Sequence, residues 1–376
     1  MTSRISKIAL WAVIAVCLNS EFARADPEHT RVLPPLVPPR PVPLVFGSPL
    51  QFGTASYDRY FNDPALTSVT REFGNTIINM KQLPFRSDVA EAFHKPWSSW
   101  WYPKKEDFLF KDLNSPLNKY DLFRRARYRN LGRQIPKSAA EFERESYNPR
   151  SLSWEGLCDA WSLAAISMPE PRRPITIQIG NEKIYFSVAD LKALLLKTFE
   201  AVDDNDLKYY GQKFNGGPEG WIFPDIFPNE FHRFLEVFLF ERKQSFVMDH
   251  DPGPEIWNVP VYKTNYQISA IPSDPFAVFV DAWVYSAEVV GPHNKDAVGT
   301  REAIRTYHYI LRGQKNANGD LVVRSGDWAV GADRIDSRKN HPDFITTIKN
   351  PVTMIRKSFN PEIETQLVDE ILLKSY

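Results

Sequence analysis

The stretch Ser153-Trp154-Glu155-Gly156-Leu157-Cys158-Asp159-Ala160-Trp161 decides how the rest of the chain is interpreted. Gly156 stands directly before an apolar run with helical spacing that stops at Pro169, so the pattern predicts a helix with Cys158 in its first turn. Free backbone N–H groups and the positive end of the helix dipole stabilise a thiolate there, and the same donors can hold an oxyanion. The spacing equally allows a structural interpretation, in which cysteine is a small hydrophobe on a helical face shared with Trp161.

Residues 1–25 have the pattern of a secretory signal peptide. Two basic residues precede an apolar run at residues 8–18, and Ala23-Arg24-Ala25 matches the A-x-A cleavage pattern. The run is too short to span a bilayer. We therefore expect an exported protein, periplasmic or secreted, whose mature chain begins near Asp26.

A mature chain of this kind keeps one cysteine. Cys17 leaves with the signal segment, where Val16 argues against a lipoprotein site, and Cys158 remains. No intrachain disulfide is then possible. In an oxidising compartment a lone cysteine is buried and inert, or bonds another molecule, or is kept for its reactivity.

Length and composition indicate one large globular domain. The chain has 376 residues, of which 43% are hydrophobic and 13% aromatic, and its net charge is +0. This composition excludes a wholly disordered chain, and the charge gives no electrostatic footprint for nucleic-acid binding. The proline-rich residues 26–50 predict an extended arm, as a linker or as a ligand for an aromatic groove, and residues 51–376 predict a single domain. The absence of 18 consecutive apolar residues predicts no membrane span.

The hydrophobic period changes near residue 244, from helical to alternating. Helix starts are expected at Ser187 and Pro228, and a further helix at residues 361–373. Strands are expected at residues 245–248, 256–262, 276–290, 305–311 and 321–324, with a tight hairpin at Asn318-Gly319. This order predicts an α+β fold with helices packed on an antiparallel sheet.

Two further patterns carry structural expectations. The segment His94–Pro103 (HKPWSSWWYP) predicts a buried aromatic anchor, with a cleft wall as the alternative. Asp281 and Glu288 interrupt the apolar run at residues 276–290, which predicts one solvated face for that strand.

A cysteine nucleophile needs a base, normally histidine, and a group that orients the base. The candidate bases are His232, His250, His308 and His341, whereas His29 and His94 lie in less suitable segments. The candidate acids are Asp225, Asp249 and Asp327. Spacing alone does not place any of them around Cys158.

The sequence predicts no metal or nucleotide site. The run Asp203-Asp204-Asn205-Asp206 lacks the glycine and the terminal glutamate of an EF-hand loop and predicts a solvated acidic loop. The glycine-rich residues 216–220 lack the lysine and serine or threonine of a phosphate cradle.

Several motifs, taken together in chain order, resemble the transglutaminase elicitor family. That family comprises oomycete cell-wall transglutaminases, whose Trp-Asn-x-Pro-Val peptide is sensed by plants, and secreted bacterial relatives. The motifs run from about residue 90 to residue 345. They are Pro96-Trp97-Ser98-Ser99-x-Trp101, Ser115-Pro116-Leu117-x-Lys119-Tyr120-Asp121, Trp154-Glu155-Gly156-Leu157-Cys158-x-x-Trp161-x-x-Ala164-Ala165, Asp225-Ile226-x-Pro228-Asn229-x-Phe231-His232, Phe246-Val247-x-Asp249, Ile256-Trp257-Asn258-Val259-Pro260-Val261, Gly326-Asp327-Trp328 and His341-Pro342-Asp343-Phe344.

The resemblance implies a papain/transglutaminase-like cysteine catalytic core that transfers γ-glutamyl groups. Cys158 would attack a glutamine carboxamide and form a thioester, which an amine or water resolves. His232 is the implied base, because it lies in a multi-residue match, and Asp249 is the first choice for the orienting acid. The implied partners are protein or peptide glutamine substrates and amine acceptors.

The same resemblance suggests which residues border the substrate cleft. These candidates are Trp154, Trp161, Trp257, Asp225 and Asp327. Calcium dependence is common among transglutaminases, so the resemblance permits a calcium ion, although no loop in this sequence specifies one.

Two alternatives to a transglutaminase stay open. A thiol peptidase or amidase would use the same nucleophile and thioester, and a catalytically inactive wall-associated protein would use neither. One departure from the family bears on activity. The chain has Cys158-Asp159 where Cys-His is expected, and an acid beside a thiol raises the thiol pKa.

Overall fold

The computed structural model describes residues 67–211, 225–253 and 255–376. The signal segment, the proline-rich arm, His29 and the glycine-rich turn at residues 216–220 lie outside the described residues. None of the helices that are described is long and apolar enough to cross a membrane.

Helices and strands alternate along the described residues more than the sequence pattern indicates. The helices are α1 (Val69–Phe73), α2 (Pro116–Asn130), α3 (Ala139–Glu145), α4 (Cys158–Ser167), α5 (Val188–Lys197), α6 (Pro228–Leu235) and α7 (Thr365–Leu372). The strands are β1 (Ile77–Ile78), β2 (Phe85–Arg86), β3 (Ala90–Glu91), β4 (Ile175–Ile179), β5 (Glu182–Phe186), β6 (Leu207–Gly211), β7 (Phe246–Asp249), β8 (Asn258–Ile271), β9 (Asp274–Ala287), β10 (Glu302–Lys315), β11 (Leu321–Trp328) and β12 (Phe344–Ile348).

One antiparallel sheet organises the molecule. Its strands follow the order β1-β11-β10-β9-β8-β7-β12-β6, with β2 and β3 also paired to β8, while β4 and β5 form a separate hairpin. The three central strands β8, β9 and β10 pair antiparallel and are each 14 residues long. The α+β prediction is therefore confirmed.

Local sequence signals explain where several of these elements begin and turn. Ser187 caps α5 by accepting from the Asp190 N–H, and the Asp190 carboxylate accepts in return from the Ser187 N–H. Pro228 occupies the start of α6, where its missing N–H costs no hydrogen bond. Between β10 and β11, Gly319 adopts φ 84°, which only glycine adopts without strain, and the expected hairpin is present.

The sheet separates two apolar clusters, because alternate residues of a strand point to opposite faces. On β7, Val247 belongs to the cluster that also holds Trp161 and five residues of α5. Its neighbours Phe246 and Met248 belong to the other cluster, with Phe231 of α6. We call these the α4 face and the α6 face of the sheet. Helix α4 packs on β7 and β8, whereas α6 packs on β10 and β11.

The aromatic segment at residues 94–103 is a buried anchor, as expected. Trp97 and Trp100 are 2% and 1% exposed, and both belong to the cluster on the α4 face. The solvated face expected for β9 is wrong. Glu288 is buried beside Arg305, 3.5 Å away, and Asp281 bonds the His308 imidazole, so each acid is compensated by a cationic partner rather than by water.

Candidate active site

The chain entering α4 is held by the aromatic segment. The Leu157 N–H donates to the Trp101 carbonyl at 2.6 Å, and the Lys104 N–H donates to the Glu155 carbonyl at 2.9 Å. Gly156 lies between Glu155 and Leu157, where a larger residue does not fit. A Cβ there would stand 2.6 Å from Trp101 Cδ1 and 2.8 Å from the Trp101 carbonyl oxygen. The aromatic segment and the segment that precedes Cys158 thus meet directly before α4.

Cys158 is the first residue of α4 and lines a cleft of about 1680 Å³. Its side chain is 6% exposed, and the thiol donates to the Ile256 carbonyl at 3.6 Å. Residues of β6, β7 and β12 also line the cleft, including Tyr209, Val247 and Thr346. The sulfur therefore lies at the edge of a space large enough to hold a peptide segment.

The surroundings of Cys158 keep its sulfur protonated at neutral pH. Burial and then the Asp159 charge raise the thiol pKa to about 12, and Asp249 adds to the effect. The backbone N–H of Asn258 acts in the opposite direction by favouring the thiolate. The acid next to the nucleophile thus has the consequence expected from the sequence. A thiolate at this site needs a base that takes the proton.

Asp249 and Asn258 form a register pair between β7 and β8, directly beside Cys158. Asp249 is fully buried, and its Oδ1 accepts from the Trp257 N–H at 3.0 Å. Asn258 is 8% exposed and lines the cleft, and its Oδ1 is buried without a hydrogen-bond partner among the described residues. The Asn258 carbonyl accepts from Ser162 Oγ at 2.9 Å, which joins α4 to β8. Sequence reasoning missed Asn258 as a site residue, although it lies in the Trp-Asn-x-Pro-Val match.

His232 lies on the α6 face, across the sheet from Cys158. Its imidazole is fully buried, with Nδ1 2.8 Å from Tyr309 Oη and its ring centroid 4.7 Å from that of Tyr266. Burial lowers the pKa of His232, so the ring is neutral. His232 is not among the described residues that line the cleft. These contacts are those of a core histidine rather than of a base beside Cys158.

The remaining predicted acids and bases form their own pairs. His341 Nε2 lies 2.8 Å from Asp225 Oδ2, and its ring stacks on Trp328 with centroids 5.1 Å apart. Arg312 Nε donates to Asp327 Oδ2 at 3.2 Å. Neither Asp225 nor Asp327 lines the cleft within the described part of the chain.

His308, on β10, lies between two carboxylates from other parts of the chain. Its Nδ1 is 2.6 Å from Asp281 Oδ1, and its Nε2 is 3.0 Å from Asp333 Oδ1. Burial alone would lower the pKa of this imidazole, but the two acids outweigh burial and raise the pKa to about 9. His308 is therefore a cation at neutral pH.

The three candidate cleft tryptophans take different places. Trp154 lines the cleft and is half-buried. Trp257 is half-buried beside the cleft residue Ile256 and packs edge-on against Trp101, with ring centroids 6.1 Å apart. Trp161 is fully buried instead, and its Nε1 donates to the Trp97 carbonyl at 2.9 Å, because its position on α4 faces the core.

The described residues do not fit a calcium site. They contain no group of three or more histidine, cysteine, aspartate or glutamate residues that could hold a metal ion. Acidic residues of the segment 203–206 accept hydrogen bonds from within the protein instead. Asp203 accepts from the Asn205 N–H at 2.8 Å, and Asp204 accepts from Tyr209 Oη at 2.8 Å.

Comparison with known proteins confirms the resemblance found in the sequence. The family model for the transglutaminase elicitor matches residues 149–297, which include Cys158, Asp249 and the Trp257–Val261 motif. The fold is similar to the crystal structure of the GP42 transglutaminase from Phytophthora sojae, with a TM-score of 0.52 and 17% sequence identity. That similarity covers 85% of this chain and 96% of the oomycete chain. No curated protein matches the chain by sequence.

Proposed function

We propose that this protein is an exported protein-glutamine γ-glutamyltransferase with Cys158 as its nucleophile. The observation that carries the proposal is the position of the Cys158 sulfur, at the start of α4 and on the wall of a large cleft. The register pair Asp249–Asn258 lies beside it. A cysteine at a helix start against an adjacent sheet is the arrangement of a papain/transglutaminase-like core. The pattern of residues 1–25 supports export to a periplasm or beyond the cell.

The proposed reaction has two steps. The Cys158 thiolate attacks the carbonyl carbon of a glutamine carboxamide, the C–N bond breaks, and ammonia leaves as the thioester forms. An amine or water then attacks the thioester, and the sulfur leaves with the electron pair of the C–S bond. N–H groups in the first turn of α4 are positioned to stabilise the oxyanion of each step.

His250 is the base that we propose. It directly follows Asp249 and begins the segment that returns to Ile256, whose carbonyl accepts from the Cys158 thiol. Its side chain is only partly buried, in contrast to that of His232, although like His232 it is not among the described residues that line the cleft. Asp249 keeps the orienting role implied by the resemblance, because its buried charge acts on the same sulfur.

Three variants test this assignment. Cys158→Ser should abolish incorporation of an amine into a glutamine peptide while leaving the thermal unfolding midpoint near that of the native protein. His250→Ala should lower the rate by about 10² or more, as the loss of a general base does. His232→Ala should lower the unfolding midpoint and leave the pH dependence of the rate unchanged. Full activity of the serine variant would contradict the proposal. If His232→Ala lowers the rate of amine incorporation and His250→Ala does not, the base is His232.

Two other functions predict different products. A thiol peptidase or amidase would hydrolyse the donor and incorporate no amine. A binding protein without catalysis would release no ammonia from a glutamine peptide, and its Cys158 would form no adduct with the donor.

A further inference from the structure

The side-chain amide of Asn258 lies at the cleft without a role in holding the fold together. The residue is 8% exposed and lines the cleft, and its Oδ1 is buried with no hydrogen-bond donor among the described residues. A buried oxygen that accepts no hydrogen bond is destabilising, and such oxygens are uncommon in folded proteins. The proposed reaction assigns no part to this amide. The oxygen is therefore a candidate to accept from a ligand.

Strand pairing directs this side chain toward the start of α4. Asn258 and Asp249 are directly opposite on β8 and β7, so their side chains lie on one face of the sheet. Val247, two residues before Asp249, belongs to the cluster on the α4 face and lines the cleft, which places Asn258 on that face too. The Asn258 carbonyl accepts from Ser162 Oγ of α4 at 2.9 Å. The amide is thereby fixed beside the helix that begins with Cys158.

The backbone of Asn258 brings the same residue next to the sulfur. Its N–H is close enough to favour the Cys158 thiolate. A carbonyl carbon in position for attack lies about 3–3.5 Å from its nucleophile. The nitrogen of a carboxamide is bonded to that carbon, so it comes within reach of the Asn258 amide. The unpartnered oxygen can therefore accept from the acyl donor itself.

We propose that Asn258 Oδ1 selects primary carboxamides over esters as acyl donors, by accepting an N–H from the nitrogen that becomes ammonia. This inference rests on the proposed function, because it assigns a specificity residue to the first substrate of that reaction. An ester has an oxygen in place of that nitrogen and offers no donor there.

The hydrogen bond to Asn258 strengthens during the reaction. As the C–S bond forms, the nitrogen takes the proton that the base removed from the thiol. The C–N bond then breaks, and ammonia departs. A nitrogen that is gaining a proton is a stronger donor than a neutral amide, because charge-assisted hydrogen bonds are stronger than neutral ones. Asn258 thus favours the departure of this leaving group as well as its binding.

The test compares two acyl donors that differ at this nitrogen. One is a glutamine peptide, and the other is the same peptide with glutamate γ-methyl ester in place of glutamine. Both donors give the same product with one amine acceptor. The readout is the ratio of kcat/KM for the amide to kcat/KM for the ester, measured for each variant. Because both donors form the same thioester, the ratio reports only on binding and on the departure of the leaving group.

We expect Asn258→Leu to lower this ratio about tenfold, the size of one hydrogen bond to a nitrogen that is gaining charge. Leucine removes the amide oxygen and nearly retains the side-chain volume. Asn258→Asp keeps an acceptor, so its ratio should stay within about twofold of native, although the added charge raises the thiol pKa and lowers both rates.

Asn265→Leu is the matched control. Asn265 also lies on β8, and its Oδ1 is likewise buried with no donor in the described part of the chain. It is not among the described residues that line the cleft. Its replacement should leave the ratio unchanged.

Binding to Cys158→Ala gives a second readout, with Asn258 intact and no reaction. The glutamine peptide should bind about tenfold more tightly than the ester peptide, because only the amide donates to Oδ1. Equal binding of the two peptides, an unchanged ratio in a folded Asn258→Leu variant, or an equal fall in Asn265→Leu would overturn the inference. Failure of the proposed function is distinct from these outcomes, because the native protein would then form product from neither donor.

Discussion

The proton on Cys158 is the smallest feature on which the reactivity of the molecule depends. A helix start favours a thiolate, yet here burial and the Asp159 charge prevail and raise the thiol pKa to about 12. The protein therefore holds a thiol that is protected from adventitious oxidation. In the proposed reaction, the thiol requires a base at the moment of attack.

This state of the sulfur predicts how Cys158 reacts with iodoacetamide. The alkylation rate should keep rising beyond about pH 10, whereas a short cysteine peptide levels off near its ordinary pKa of about 8.5. Asp159→Asn should shift the rise to lower pH, because it removes the second-largest cause of the raised pKa. A plateau near neutral pH in the native protein would contradict the description of a protected thiol.

At the scale of single elements, the position of α4 depends on one glycine. Gly156 lets the chain pass against the Trp101 backbone, and the Leu157 N–H bonds the Trp101 carbonyl. The aromatic segment therefore acts as the support that fixes the start of α4.

Gly156→Ala tests this support. The added Cβ would stand 2.8 Å from the Trp101 carbonyl oxygen, so backbone must shift. We expect a loss of about 1–3 kcal/mol in the free energy of unfolding, as for overpacking elsewhere, together with a lower rate of amine transfer. Gly291→Ala is the matched control, because nothing lies within 4 Å of a Cβ placed there and its φ is −70°. Unchanged stability and rate in Gly156→Ala would show that the contact does not position α4.

A second feature at this scale is the pairing of His308 on β10 with Asp281 and Asp333. The pKa of the His308 imidazole is raised in the folded state to about 9. The stabilisation is therefore fully present below the unfolded pKa of about 6.5 and is lost as pH rises through the folded pKa.

His308→Gln measures this contribution. The native protein should exceed the variant in free energy of unfolding by about 2 kcal/mol more at about pH 6 than at about pH 10, after allowance for the partly exposed Asp333. Urea denaturation at several pH values gives the difference directly. A difference that is flat with pH, or that grows as pH rises, would contradict a charged His308 in the folded state.

On the scale of the whole molecule, buried charges join segments that are distant in sequence on the α4 face of the sheet. Lys192 of α5 is fully buried and donates to Glu170 Oε1 and to the Ser98 carbonyl, both at 2.7 Å. Glu170 also accepts from the Gly299 N–H. This network ties the aromatic segment to the chain before β10.

Lys192→Met should therefore cost about 3–5 kcal/mol of unfolding free energy, because it leaves the Glu170 carboxylate buried without its cation. Adding Glu170→Gln to that variant should recover part of the loss. Lys111→Met, which removes an exposed lysine paired with Asp107, should change stability by less than about 1 kcal/mol. Equal effects of the two lysine substitutions in thermal or urea unfolding would contradict the network.

The sequence predicts the local features of this fold and misses those that depend on distant pairing. The cap at Ser187, the start of α6 at Pro228 and the hairpin at Gly319 rest on neighbouring residues, and each was predictable. Strand β12 was not, because its five residues gain their place only by pairing between β6 and β7.

The same limit applies to the site. The helical start at Cys158 was predictable from Gly156 and the apolar run that follows. The surroundings of His232 were not predictable, because Tyr266 and Tyr309 reach its imidazole from β8 and β10. Only the alternation of β7 shows that the sheet separates His232 from Cys158. Asn258 was hidden within a strand pattern, and its role depends on pairing with Asp249.

The most direct measurement of the central claim is the mass of the Cys158 peptide after acid quench of the protein with an excess of glutamine-containing donor. A thioester at Cys158 predicts an adduct equal to the donor less one ammonia, which disappears on addition of an amine acceptor and is absent from Cys158→Ala. Ammonia release without an adduct on this peptide, or amine incorporation by Cys158→Ala, would contradict it.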